Sequence, residues 1–330
     1  MRAAPAGKRP TETAERNPKK PRASDSKRRV DRTALEAAVT EAEARSLPIA
    51  GDDWLESCSR ALRSAGRWEW RSRGGPWTPY DRDASEAIEA AMADGGKASV
   101  SVAATRRHDI DFSRMQFSCS SGASGPLRHH QTTAEVDEIA LLQFWLQYAE
   151  VEEGQDCLVG PSILKLFEDL DIDASSDVRA LIFANECRCS KFGRVSRTEF
   201  LAGCISLAAS NLDELRIALQ RCLKLFDDDP AVAKRYYHFA FRYSLDPPSK
   251  VLQLDVAKAL WSIFLSPRWG LAEKWLAFVE EKCSKAVTQD QWHLLYDFAM
   301  QTQTVDDLQA HDEAAGWPTL IDEFVEWVKT

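Results

Sequence analysis

The 330 residues of this chain are 44% hydrophobic and 28% charged, with a formal net charge of −9, which fits a water-soluble globular protein of more than one domain. Residues 1–32 hold 11 Lys/Arg against 4 Asp/Glu, and the remainder holds 31 against 47. A basic tail on an acidic body argues against a general nucleic-acid binder, so no DNA partner is expected, and points the body toward basic partners.

Residues 1–32 are polar, proline-rich and aperiodic, and are predicted to be disordered. Lys8-Arg9 and, after nine intervening residues, Lys19-Lys20-Pro21-Arg22 form a bipartite nuclear-import pattern, reinforced by Lys27-Arg28-Arg29. The expected location is nuclear, shared with the cytoplasm, and a plain solubility tail is the competing explanation. Residues 33–65 read as a helical preface, with Leu35, Val39, Trp54, Leu55 and Leu62 at helical spacings. Residues 66–131 change character. Alternating runs at 67–72, 98–103, 108–112 and 115–119 predict short strands, interrupted by a helix at 85–92. The expectation is a small twisted half-barrel packed on a helix.

Residues 120–134, rich in Ser, Gly, His and Thr, read as linker. From 135 onward every segment is helical by period. Helices are predicted at 135–150, 162–170, 177–188, 197–209, 212–226, 230–244, 253–265, 268–281, 289–302 and 318–329. Ser196-Arg-Thr-Glu199 and Thr288-Gln-Asp-Gln291 are capping boxes that fix two of the starts. The fold class is mainly α: an all-α domain over 132–330 preceded by a small α+β domain.

No apolar run approaches the roughly 18 residues of a membrane helix, and no signal-peptide core follows Met1, so no membrane partner is expected. The eight cysteines are scattered. Cys187-Arg-Cys189 has no second Cys or His pair to complete a zinc site, so no metal and no cofactor are predicted. A calcium loop starting at Arg188 would have Gly193 and Glu199 at its sixth and twelfth positions. Its first, third and fifth positions are Arg188, Ser190 and Phe192, which offer a cation a positive charge and a ring instead of carboxylates. His238 and His293 sit on amphipathic aromatic helices with no motif-linked nucleophile, and there is no phosphate loop. The chain is expected not to be an enzyme.

Two families are resembled. Trp68-x-Trp70, Trp77-x-Pro79-Tyr80, Ile88-Glu89, Val102 and Asp109-Ile-Asp111-Phe112-x-x-Met115 resemble a WWE domain, named for two Trp and a Glu. Here those are best matched by Trp68 or Trp70, Trp77 and Glu89. Some WWE domains bind the iso-ADP-ribose unit of poly(ADP-ribose). The resemblance implies a ligand site at Arg71, Trp77, Tyr80, His108 and Arg128, with ADP-ribose polymer as its partner. His108 stands where Tyr is usual, and Phe117 takes the place of a usual glutamine, which puts that ligand in doubt.

The C-terminal end resembles the defective-in-cullin-neddylation family, whose module is called the PONY or DCUN domain. The residues that carry this are Asp290-Gln291-Trp292, Gly316-Trp317-Pro318 and Leu320-Ile321-Asp322-Glu323-Phe324-Val325-Glu326. The resemblance covers about residues 135–330. It implies a degenerate EF-hand-like first half, a helical second half, and an acidic patch of Asp290, Gly316, Asp322 and Glu323 that grips the basic winged-helix end of a cullin. Gly316 replaces the family's usual alanine, read here as one lost methyl and a looser loop. Helix capping alone would also explain Asp290.

The family also holds the acetylated N-terminus of the neddylation conjugating enzyme in an apolar pocket. The matching positions are Val159, Ile163, Ala180, Phe183, Ala184, Cys187, Tyr243 and Ile263, and an ordinary core stripe would look the same. The implied function is a scaffold-type, non-catalytic co-ligase for cullin neddylation. Its partners would be a cullin and the conjugating enzyme, with the ubiquitin-like modifier and a RING-box subunit engaged indirectly. The alternative is a poly(ADP-ribose)-reading or protein-interaction adaptor of a ubiquitin-type ligase, acting through the WWE domain.

Overall fold

The structure is a computed structural model that describes residues 31–64, 67–72, 75, 77–80, 82–93, 98–103, 106–130, 136–282, 286–310 and 316–329. The import pattern in the basic tail lies outside the described residues.

Asp31 starts the first helix, α1 (Arg32–Ala44), its carboxylate accepting from the Thr33 and Ala34 amides. A second helix, α2 (Gly51–Ser64), follows. These helices are not a preface. Leu35, Ala38, Trp54, Cys58 and Ala61 are buried in the same core as the residues from Val136 onward. The Trp54 indole, 0% exposed, donates to the Glu138 carbonyl at 2.9 Å, and Arg45 donates to the Ala149 carbonyl. The helical domain is therefore made of two chain segments, with the 67–130 module between them. An amphipathic pair this short cannot bury its own stripe, so it takes its apolar partners from the distant segment.

In the module, β1 (Arg67–Trp70), β2 (Thr78–Pro79), α3 (Arg82–Ala93), β3 (Ala98–Ala103), β4 (Arg106–Asp111), β5 (Gln116–Ser118) and β6 (Ser124–His130) form a six-stranded antiparallel sheet, order β2-β1-β6-β5-β4-β3, with one helix. Its core is separate: Trp68, Trp70, Tyr80, Ile88, Val100, Ile110, Phe117 and Leu127. The linker expected at 120–134 is corrected over 124–130. That stretch is the strand joining β1 to β5, with Leu127 in the core. Turn-rich Ser-Gly composition hid one inward residue.

The second segment runs α4 (Glu138–Tyr148), β7 (Glu150–Glu152), β8 (Gln155–Val159), α5 (Gly160–Asp169), α6 (Val178–Glu186), β9 (Arg194–Ser196), α7 (Arg197–Leu207), α8 (Leu212–Asp228), α9 (Pro230–Tyr243), α10 (Leu254–Phe264), α11 (Ala272–Lys282), α12 (Gln289–Gln301), a 3-10 turn (Asp306–Ala310) and α13 (Thr319–Lys329). Every predicted helix is present, and both capping boxes form. The sequence reading missed the small sheet β7-β8-β9. Leu158 pairs with Val195 across β8 and β9, which joins two helix–loop–helix units back to back in the manner of an EF-hand pair. At α7, a side chain on Gly203 would come within 2.3 Å of the Cys187 Sγ, so only glycine lets α6 and α7 approach this closely.

One ion pair ties the segments, and its arginine makes a second pair within the later one. Arg197 bridges Asp53 on α2, at 2.7 Å, and the buried Asp156, at 3.1 Å, which also accepts from the Trp145 indole at 2.8 Å. Trp54→Ala is expected to cost about 3–5 kcal/mol, measured by chemical unfolding. A loss below about 1 kcal/mol would contradict the two-segment core.

Candidate functional site

The C-terminal half is organised by aromatic rings. Trp292 on α12 stacks on Tyr237 of α9 at 4.3 Å and 13°, and on Trp261 of α10 at 5.7 Å and 16°. Its N–H donates to the Tyr237 carbonyl at 2.9 Å, while the Trp261 N–H donates to the Tyr237 hydroxyl at 3.0 Å. This fixes the rotation of α12. Asp290 lies two positions earlier, about 200° round the helix, and so is exposed in the first turn. The same logic holds at α13. Phe324 is buried against Trp269, Trp275, Phe278 and Phe298, Asp322 is half-buried in the first turn, and Glu323 is exposed.

Trp317 packs edge-on against Phe298 at 5.6 Å. The segment bearing Gly316 is therefore pinned to α12, eight residues or about 12 Å of helix from Asp290. Gly316 has a φ of +81°, is exposed, and an added Cβ would meet nothing within 4 Å. It is thus more than a lost methyl: it permits a left-handed turn before Trp317 that an alanine would strain.

The apolar positions implied for the conjugating-enzyme tail divide by burial. Ile163, Ala180, Phe183, Ala184 and Cys187 lie in the core, with Phe183 edge-on to Phe167 at 5.7 Å. Val159, Tyr243 and Ile263 are half-buried. Phe192 is 66% exposed and lies 5.3 Å from Tyr243, which stacks on Phe239 at 5.2 Å and 15°. Phe192 of the 188–199 loop thus meets the half-buried Tyr243 and Phe239 of α9 in a partly exposed aromatic surface. Sequence reasoning used Phe192 only to argue against calcium; its position as an apolar residue in an exposed loop was the available signal. Burial pushes the Tyr243 hydroxyl above its ordinary range, so it stays neutral there.

The loop's glutamate is engaged within the loop itself. Glu199, which would be the bidentate ligand, accepts instead from the Ser190 amide and hydroxyl at 2.7 and 2.8 Å and from the Ser196 amide and hydroxyl at 2.7 Å each. Among the described residues no group of three metal-ligating side chains converges. A separate cleft of about 520 Å³ is lined by the apolar Leu223 and Ile263, by Asp171, Asp173, Asp177 and Asp227, and by Arg268. Of the eight expected pocket residues, only Ile263 lines it.

In the β module, the expected ligand residues fall in two groups. Trp77 lies between the guanidinium groups of Arg71, at 4.8 Å, and Arg128, at 4.2 Å. Arg128 is held by the buried Glu69, its Nε donating at 2.7 Å. Tyr80 and His108 are 5% and 1% exposed and bond to each other at 2.9 Å, so they act as core. The Trp68 indole donates to Glu89 at 2.8 Å, which makes Trp68 the tryptophan that pairs with the glutamate.

Comparison with known proteins agrees with both resemblances. A WWE domain model matches residues 67–128, and a cullin-binding model matches residues 214–327. The chain is similar to DCN1-like protein 4 of Homo sapiens, at 30% identity over 189 residues, 57% of this chain and 62% of that protein. It is 26% identical to DCN1-like protein 5 of Rattus norvegicus over 229 residues, 69% and 93% of the two chains. It is also 26% identical to DCN1-like protein 3 of Drosophila melanogaster over 202 residues, 61% and 59% of the two chains. The match thus spans about three fifths of two of these relatives. The chain carries a WWE domain followed by the cullin-binding domain, and its relatives are DCN1-like proteins.

Proposed function

We propose that this chain is a scaffold co-ligase for cullin neddylation. Asp290, Asp322 and Glu323, around Gly316, bind the basic winged-helix end of a cullin. The aromatic surface of Phe192, Tyr243 and Phe239 receives the acetylated N-terminus of the conjugating enzyme. Holding both aligns the thioester-linked modifier with the acceptor lysine, and the rate gain comes from proximity, without a reacting group on this chain. The import pattern at Lys8 to Arg22 supports a nuclear site of action.

The observation that carries this reading is the aromatic lock. Trp292 and Phe324 bury one face of α12 and α13, which leaves Asp290 exposed and Asp322 half-buried in first turns and Glu323 exposed beside them. Such carboxylates are already favoured by the helix dipole, so they stand ready for a basic partner without rearrangement. The poly(ADP-ribose) reading is less well supported, because two of its five residues, Tyr80 and His108, are buried against each other.

Asp322→Arg in the full chain is expected to weaken binding to a cullin winged-helix domain at least tenfold, about 1.4 kcal/mol, with unchanged helical circular dichroism. Unchanged affinity by calorimetry would refute the acidic patch. Raised salt is expected to weaken the unaltered complex, because its charges are exposed.

An acetylated N-terminal peptide of the conjugating enzyme is expected to bind more tightly than its free-amine form, since a buried ammonium lacks a partner. Phe192→Asp is expected to remove that preference. Equal binding of both peptides in fluorescence titrations would count against the aromatic surface. Gly316→Ala is expected to destabilise the chain by about 1 kcal/mol through its positive φ, read from chemical unfolding.

A further inference from the structure

α9 and α12 meet along a ladder of polar side chains at helical spacing. Lys234 pairs with Asp297. One turn on, the rings of His238 and His293 stack with centroids 3.8 Å apart and planes 18° from parallel. The charged groups facing the pair are Lys234 and Arg242 from α9, and Asp290 and Asp297 from α12. Both rings are half-buried, and the His238 Nε2 is enclosed without a hydrogen-bond partner.

Two imidazolium rings at this distance repel each other and the nearby Lys234 and Arg242, and Asp290 and Asp297 offset this only in part. We propose that the His238–His293 stack is a pH-sensitive latch that holds the N-terminal half of α12, which bears Asp290, against α9 while both rings are neutral. Burial is the largest cause holding both rings toward the neutral form. For His238 the His293 ring, Lys234 and Arg242 add to it and Asp297 opposes it, bringing the group down to about 4. His293 is also lowered, with Asp290 and Asp297 opposing.

A histidine lowered in the folded state keeps its full contribution above the ordinary value near 6.5. As pH falls from there toward 4, the unfolded chain takes up protons that the folded chain refuses, so stability is lost across that window. Any effect on partner binding rests on the cullin reading, because it acts through Asp290. The latch itself does not, and its test needs no partner.

The test is a proton NMR titration of the histidines in the full chain, assigned with His238→Gln and His293→Asn, alongside thermal unfolding at pH 7 and pH 4.5. Both rings are expected to titrate below the ordinary value, His238 the further of the two. The unaltered chain is expected to lose roughly 5 °C more between the two pH values than the double variant. Either ring titrating at its ordinary value, or equal losses in the two proteins, would overturn the latch. If the double variant fails to fold, the titration of the unaltered chain decides by itself.

Discussion

The indole of Trp292 sets the geometry on which the C-terminal half depends. It stacks on Tyr237 and Trp261, donates to the Tyr237 carbonyl, and is fully buried. One side chain thus ties α9, α10 and α12 together. A ring this large, buried and hydrogen-bonded, leaves its helix little freedom to rotate. The exposed positions of α12 follow directly, Asp290 among them. Phe324 plays the same part for α13 against the tryptophans of the 269–275 stretch and against Phe278 and Phe298. Surface chemistry is thereby inherited from core packing: Asp290 faces solvent because Trp292, two residues on, cannot, and Asp322 stands half-buried ahead of Phe324.

The first half of the helical domain shows a different economy. The β8–β9 pairing has the frame of an EF-hand pair, with the loop glutamate bonded within the loop. Glu199 spends its oxygens on the loop's own amides and hydroxyls, so the loop is held closed by hydrogen bonds in place of an ion. That frees the loop's outer positions from supplying ligands. Phe192 then stands exposed on Tyr243, where a calcium-binding loop would need an oxygen.

Much of this was legible in the residues. The helical periods from 138 onward, the two capping boxes and the aspartates ahead of Trp292 and Phe324 are local signals, and local signals survive in one sequence. The pairing of Trp68 with Glu89 was half legible, since the sequence offered Trp70 as well. What was missed depends on contacts distant in sequence. Nothing local shows that Trp54 bonds to Glu138 across an inserted domain. Strands of three residues, such as Arg194–Ser196, carry too little pattern to register against strong helical neighbours. The Ser-Gly-rich strand around Leu127 read as linker because its partner strand β1, with Trp70 opposite Leu127, lies more than fifty residues away. The apolar groove was the hardest case, because core and pocket share one composition. Only exposure separates Phe192 from Phe183.

The most direct measurement is hydrogen exchange of the full chain with and without a cullin winged-helix domain. Slowed exchange confined to the start of α12 and to residues 316–326 is the predicted result. Slowed exchange only within residues 67–128, or none despite binding, would contradict the claim that the acidic ends of α12 and α13 form the docking face.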